Sequence, residues 1–363
     1  MAAPVHINTT ATRDYTSDLP TFYEHYWHVS SEVRPESDAA REELVQALFG
    51  GWPTGLRALE IGPGGEGGLI RLLQPRGNEV FGLDVSASGV ACCAQWGLDV
   101  RLCQVGAEPM PFDDDSFDVV FAFEVCEHFA NPQQAIEEIR RVLRPGGRFI
   151  ASTPNPLIHH WPRYFYPSLV ERDGLREFFE VNQLAVVREI VSGRNRYERL
   201  VGPDQAGWSW IWDCRSLKGD AAGLREAARR FWDRTDGHGI RMRPMEAADL
   251  ARAALAVAPG DVEALGLLAA ASVYRVLAGE EVECQAAMTD LVSACAEEGS
   301  PHLTAARFWL FAADAEFRRF RFGLLAPEQR AALQGAVEAA DPARGEALAA
   351  LDREAVRLAA LTT

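Results

Sequence analysis

Short apolar runs alternate with helical apolar stripes through the middle of the chain. The runs RALEI (57–61), EVFGLD (79–84), VRLC (100–103), FDVVFAF (117–123) and GRFIAST (147–153) have the length and composition of strands. Helical patterns lie between them. The best marked begins with Asn131 as N-cap and Pro132 at the first helical position. It carries Ile136, Ile139, Val142 and Leu143 on one face and stops at Pro145-Gly146. Strands alternating with helices predict an α/β domain with a parallel sheet covered on both faces.

The flanking regions differ. Residues 1–56 are polar at first, then aromatic in TFYEHYWHV, and end in an amphipathic helix from Asp38 to about Phe49. Residues 154–215 read as an irregular, aromatic-rich substrate insert within the domain 57–215. There Trp208, Trp210 and Trp212 alternate at strand spacing and so share one face. Such a stripe serves a core, or stacks on a sugar or aromatic ring if it is exposed in a cleft. Residues 216–363 are rich in Ala, Leu, Arg and Glu with helical periodicity. Three similar stretches, 254–265, 294–305 and 336–347, start 40 and 42 residues apart. Each reads as a helix end, a Gly/Pro turn and a new helix. This predicts an all-α domain, either stacked hairpins of tetratricopeptide (TPR) type or a plain bundle.

Composition narrows the partners. A formal net charge of −16 opposes long-range attraction to nucleic acid or anionic membrane. No segment reaches the ~20 uncharged apolar residues of a membrane span. The N-terminal residues show no secretory pattern, and the seven cysteines form no C-x-x-C pair. A cytoplasmic protein without a disulfide framework or zinc site is expected.

The chemistry begins at RALEIGPGGEGGLIRLL (57–73), read as strand, tight turn and helix. Its spacing satisfies G-x-G-x-x-G, and the absence of a following Gly-Lys-Ser/Thr excludes a P-loop. Glu60, two residues before Gly62, suits a cationic ligand better than a pyrophosphate. Asp84 ends the next strand 22 residues after Gly62, where a carboxylate accepts hydrogen bonds from ribose hydroxyls in either nicotinamide or sulfonium nucleosides.

The run AEPMPFDDDSFDVVFAFEVCEHFANPQQAIEEIRRVLRPGGRFIASTPNP (107–156) resembles class I S-adenosylmethionine (SAM) methyltransferases, chiefly the small-molecule group of the ubiquinone-biosynthesis enzymes. The likeness covers about residues 57–156 and implies a Rossmann-like doubly wound fold with SAM as cofactor. It also implies that Glu60, Gly62 and Gly64 line the methionine end, Asp84 the ribose, and Val85 and the Ala107 backbone the adenine, with Pro63 and Glu124 also at the cofactor. Two departures stand out. Gly106 occupies a place where the family often has Asp, and the third turn glycine aligns with Glu66, followed by Gly67 and Gly68. Tyr23, Tyr26 and Trp27 fall where the family often has an N-terminal lid helix.

Methyl transfer to a hydroxyl needs alignment and removal of a proton. His128, just after the fourth strand, is the candidate base, with Glu127 beside it and His160 as a further candidate near His159. Glu124, Glu127 and His128 could instead hold Mg²⁺. His128 could also simply cap a turn. The resemblance implies O-methylation of a small molecule or of a glycan sugar. The alternatives are a nicotinamide-dependent oxidoreductase, or an inactive scaffold that binds a protein partner through its helices.

Overall fold

Strand β1 (Arg57–Ile61) lies third in a seven-stranded sheet of order β3-β2-β1-β4-β5-β7-β6. The other strands are β2 (Glu79–Asp84), β3 (Asp99–Leu102), β4 (Phe117–Phe123), β5 (Leu143–Pro154), β6 (Leu184–Val191) and β7 (Ser209–Ser216). β1 to β5 are parallel, and β7 runs antiparallel to both β5 and β6. The computed structural model describes residues 20–21, 23–24, 35–155, 172–192, 207–237, 241–276 and 281–361. The chain divides into two compact units, Met1–Lys218 and Gly219–Thr363.

Alternate residues of each strand feed opposite faces of the sheet, because side chains of an extended chain alternate. Val120 and Ala122 of β4 join one core with Leu59, Phe149 and Trp212. Helix α4 (Pro132–Val142) covers that face with Ile136, Ile139 and Val142. Val119 and Phe121 join the other core with Ala58 and Ile150. That face is covered by Leu44, Val45 and Leu48 of helix α1 (Pro35–Phe49) and by Ile70 and Leu73 of the short helix α2 (Ile70–Leu73). Helix α3 (Ala87–Ala94) follows β2, with the Ser86 hydroxyl accepting from the Gly89 N–H as its cap. Arg148 and Arg188 donate to carbonyls at the end of α1, Leu48 and Ala47 respectively. Arg148 is also paired at 2.7 Å with the buried Asp213 of β7.

The α/β sheet expectation holds, with two local differences. Strand β5 starts at Leu143, so α4 ends before Pro145-Gly146 rather than at it. Gly146 is left-handed at φ +73°, and the pairing of β4 with β5 shifts between Phe117 and Val119 to absorb the extra residues. The region read as irregular contains helix α5 (Arg172–Val181), β6 and β7. The run LAVVREIV of β6 has buried ends and an exposed middle, so it carries no simple alternation. Trp212 is fully buried, with Trp210 packed against it at 6.1 Å between ring centroids. Trp212 of the tryptophan stripe is therefore core.

The second unit is helical in its described residues: α6 (Ala221–Asp233), α7 (Pro244–Val257), α8 (Val262–Val276), α9 (Glu281–Ala296), α10 (Leu303–Arg319), α11 (Pro327–Ala340) and α12 (Pro342–Leu361). The three similar stretches found in the sequence span the joints α7–α8, α9–α10 and α11–α12. Consecutive helices pack together, and α6, α8, α10 and α12 also pack in succession, each on the next. Gly266 of α8 is needed for this, because a Cβ there would lie 2.0 Å from the Trp309 ring of α10. No described helix is long and apolar enough to cross a membrane.

Candidate active site

The strand order turns back between β1 and β4, since the chain runs outward through β2 and β3 on one side and through β5 on the other. Ligands of such sheets bind at the carboxyl ends of the strands beside that point. The turn after β1 and the turn after β4 approach closely here. Gly62 is left-handed at φ +71°, and a Cβ on it would sit 2.6 Å from the Val125 side chain. The Gly62 N–H donates to the Leu83 carbonyl at 2.7 Å, tying the turn to β2.

Two buried carboxylates bracket this turn. Glu60 Oε2 accepts from the N–H groups of Leu69 at 2.7 Å and Ile70 at 3.0 Å, at the start of α2. Gly68, left-handed at φ +54°, leaves that carboxylate its space, for a Cβ there would lie 2.2 Å from Oε2. Asp84 Oδ2 accepts from Gly64 N–H at 3.0 Å and Oδ1 from Ser86 N–H at 2.9 Å. Burial pushes the Glu60 carboxyl up to about 7 and that of Asp84 up to about 6. Smaller repulsions add to this: Asp84 acts on Glu60, and Glu24 acts on Asp84. Pro63 is buried within the turn, Cys93 Sγ donates to the Gly64 carbonyl, and Arg41 of α1 reaches Glu66 at 3.0 Å from outside.

On the β4 side the backbone is bent. Glu124 has φ +55°, a conformation that costs a non-glycine residue on the order of 1 kcal/mol or more. It is held by Ser152 of β5: the Glu124 N–H donates to the Ser152 carbonyl and hydroxyl, and the Ser152 hydroxyl donates to Glu124 Oε1 at 2.8 Å. A short 3₁₀ turn, Cys126–His128, follows. Glu127 is buried there, and its Oε1 lies 3.7 Å from His128 Nε2. The Tyr23 hydroxyl is 3.1 Å from the same Nε2, with the two rings edge to face.

The remaining residues fall around this edge. Val85 is half-buried directly after Asp84, and Ala107 is exposed in a turn closed by its N–H on the Gln104 carbonyl. Gly106 explains its own departure from the family pattern: φ is +87° and a Cβ would lie 2.8 Å from the Asn131 carbonyl, so no side chain fits. Among the described residues no group of three His, Cys, Asp or Glu side chains is arranged to hold a metal, so Glu124, Glu127 and His128 do not converge as a ligand set. His159, His160, Tyr26 and Trp27 lie outside the described residues. Sequence reasoning missed Glu24 and Ser152. Glu24 reaches Ser86 and Ser88 from 62 and 64 residues away, and no local pattern marks that pairing. The doubled glycine at 67–68 was visible, but its reason, room for Glu60, was not.

Residues 59–151 match a family model described as a methyltransferase domain. The chain is 32% identical over 145 residues to the uncharacterized methyltransferase YcgJ of Bacillus subtilis, covering 36% of this chain and 57% of that one. It is 27% identical over 259 residues to a sterol 24-C-methyltransferase of Gibberella zeae, covering 63% and 66%. It is 30% identical over 155 residues to a ubiquinone biosynthesis O-methyltransferase of Cereibacter sphaeroides, covering 42% and 56%. The matches thus span only part of each relative's own length.

Proposed function

The chain carries a methyltransferase domain of the class I, Rossmann-like fold, and from it we propose that the protein is a SAM-dependent methyltransferase. The observation that carries the reading is the buried pair Glu60 and Asp84, set on either side of a glycine turn at the crevice between β1 and β4. Two acidic side chains buried at this turn favour a cationic nucleoside over a pyrophosphate, whose charge they would repel when ionised. The fit extends to the backbone, where a side chain on Gly62 would close the turn.

SAM supplies a methyl group on a sulfonium, which needs no acid to leave. The protein's part is to bind, align and deprotonate. In this reading Asp84 accepts from the ribose hydroxyls, since each of its oxygens has a second acceptor site. Glu60 sets the negative field at the methionine end, with Glu124 on the facing turn. Val85 and Ala107 flank the adenine. His128 Nε2 takes the acceptor proton, and the buried Glu127 carboxylate stabilises the imidazolium that forms.

The finer reading is O-methylation of a small molecule or a glycan sugar. The ubiquinone O-methyltransferase likeness favours a hydroxyl acceptor, while the sterol relative is named for transfer to carbon. Packing of α6, α8, α10 and α12 in succession supports a TPR-like array open to a protein partner. Titration calorimetry with SAM and with reduced nicotinamide dinucleotide tests the cofactor. SAM binding with turnover that survives EDTA supports the direct mechanism, and loss of turnover restored by Mg²⁺ would return the metal reading. Binding of the nicotinamide alone would leave the oxidoreductase, and failure to bind either would leave the scaffold.

A further inference from the structure

Tyr23 and Glu24 are adjacent helical residues, yet they bind opposite sides of the crevice. The Tyr23 hydroxyl meets His128 Nε2 at 3.1 Å, on the β4 side. The Glu24 carboxylate accepts from the Ser86 hydroxyl at 2.9 Å, the Ser88 N–H at 3.0 Å and the Ser88 hydroxyl, on the β2 side at the head of α3. The strand order places β1 and its glycine turn between these two anchor points. Three donors on one carboxylate make Glu24 the firmer end. These bonds, the Ser88 hydroxyl's first, hold its carboxyl below the usual carboxylate range.

We infer that Tyr23 is a positioning residue for His128, held on the ring nitrogen by the anchoring of Glu24 to Ser86 and Ser88. This rests on the reading of His128 as the base. When the phenol donates to Nε2, the ring proton stays on Nδ1 and the imidazole is held in one orientation, as second partners of an imidazole do. It also keeps Nε2 covered until an acceptor hydroxyl takes the place of the phenol. The Glu24 carboxylate is bonded to Ser86 and Ser88, so it acts on the base through its neighbour Tyr23.

The test needs no acceptor. Full-length protein is treated with diethyl pyrocarbonate, which acylates exposed imidazole nitrogen, and labelling of His128 is followed by peptide mass spectrometry. Ring ¹⁵N shifts of His128 report its tautomer in the same samples. Tyr23→Phe should raise the labelling rate roughly tenfold and move the ¹⁵N shifts, because Nε2 loses the phenol's hydrogen bond and cover. Glu24→Ala should do the same, although it touches no atom of His128. Unchanged melting temperature keeps both variants interpretable. Unchanged labelling and shifts in both would overturn the inference, as would an effect of Tyr23→Phe that Glu24→Ala fails to reproduce. If instead His128→Ala retained turnover, the base reading would fail while the coupling of Glu24 and Tyr23 to the His128 ring would stand.

Discussion

At the scale of single residues the site is a problem of buried charge. Glu60 and Asp84 accept from four N–H groups, those of Leu69 and Ile70 at the start of α2, Gly64 in the glycine turn and Ser86 after β2, and are bonded well enough to stay inside. Removing Asp84 with Asp84→Ala should cost roughly ten- to a hundredfold in SAM affinity, the worth of charge-assisted hydrogen bonds to the ribose. Calorimetry reads this directly, and wild-type affinity in the variant would show that Asp84 is not the ribose ligand. The same pair makes stability depend on pH. Their folded-state values, about 7 and about 6, exceed the ordinary 4.5 and 3.8. The folded protein therefore keeps protons that the unfolded chain has released. Their contribution is complete below about pH 4 and is lost as pH rises through about 6 to 7. The ligand-free melting temperature should fall across that window, while SAM affinity rises as both groups ionise. Scanning fluorimetry with and without SAM checks both signs, and a pH-independent SAM effect would refute the coupling.

At the scale of elements, backbone geometry decides where side chains may be absent. Gly106 and Gly266 each face an atom that a Cβ would strike, one a carbonyl and one a tryptophan ring. Trp212 shows the converse. It is fully buried among Phe149 and Phe179 on the α5 side of the sheet. Trp212→Ala should destabilise the fold by about 3–5 kcal/mol, as deletion of a buried aromatic does. Chemical denaturation should show that loss, with SAM affinity in the folded fraction unchanged. A variant of normal stability that had lost acceptor turnover would reassign the stripe to a ligand platform.

At the scale of the whole molecule, every residue assigned here to SAM or to the base precedes Lys218, the end of the first compact unit. A fragment ending at Lys218 should fold and bind SAM with an affinity close to that of the full chain. Gel filtration must first show it monodisperse, and calorimetry then gives the affinity. A soluble, folded fragment that binds no SAM would mean that the helices help to build the cofactor site. One that binds SAM but no longer turns over an acceptor would assign the helices to substrate recognition.

Local pattern determined what depends on local forces. The strand runs 57–61, 79–84 and 117–123, the Asn131 cap and the glycine turn were all legible, because alternation, capping and left-handed backbone are written in neighbouring residues. So was the α/β class, which follows from the order of elements. What tertiary structure alone decided depends on residues far apart in the chain. β6 and β7 join the sheet because β5 offers an edge that β7 can pair, a fact absent from LAVVREIV itself. Gly106 departs from the family's Asp because the Asn131 carbonyl lies against it, which the sequence around either residue does not show. Tyr23 meets His128 across 105 residues and Glu24 meets Ser86 across 62. Such pairings are set by how the cores bring the strand ends together, and a hydrogen bond leaves no periodic trace in the sequence on either side of it.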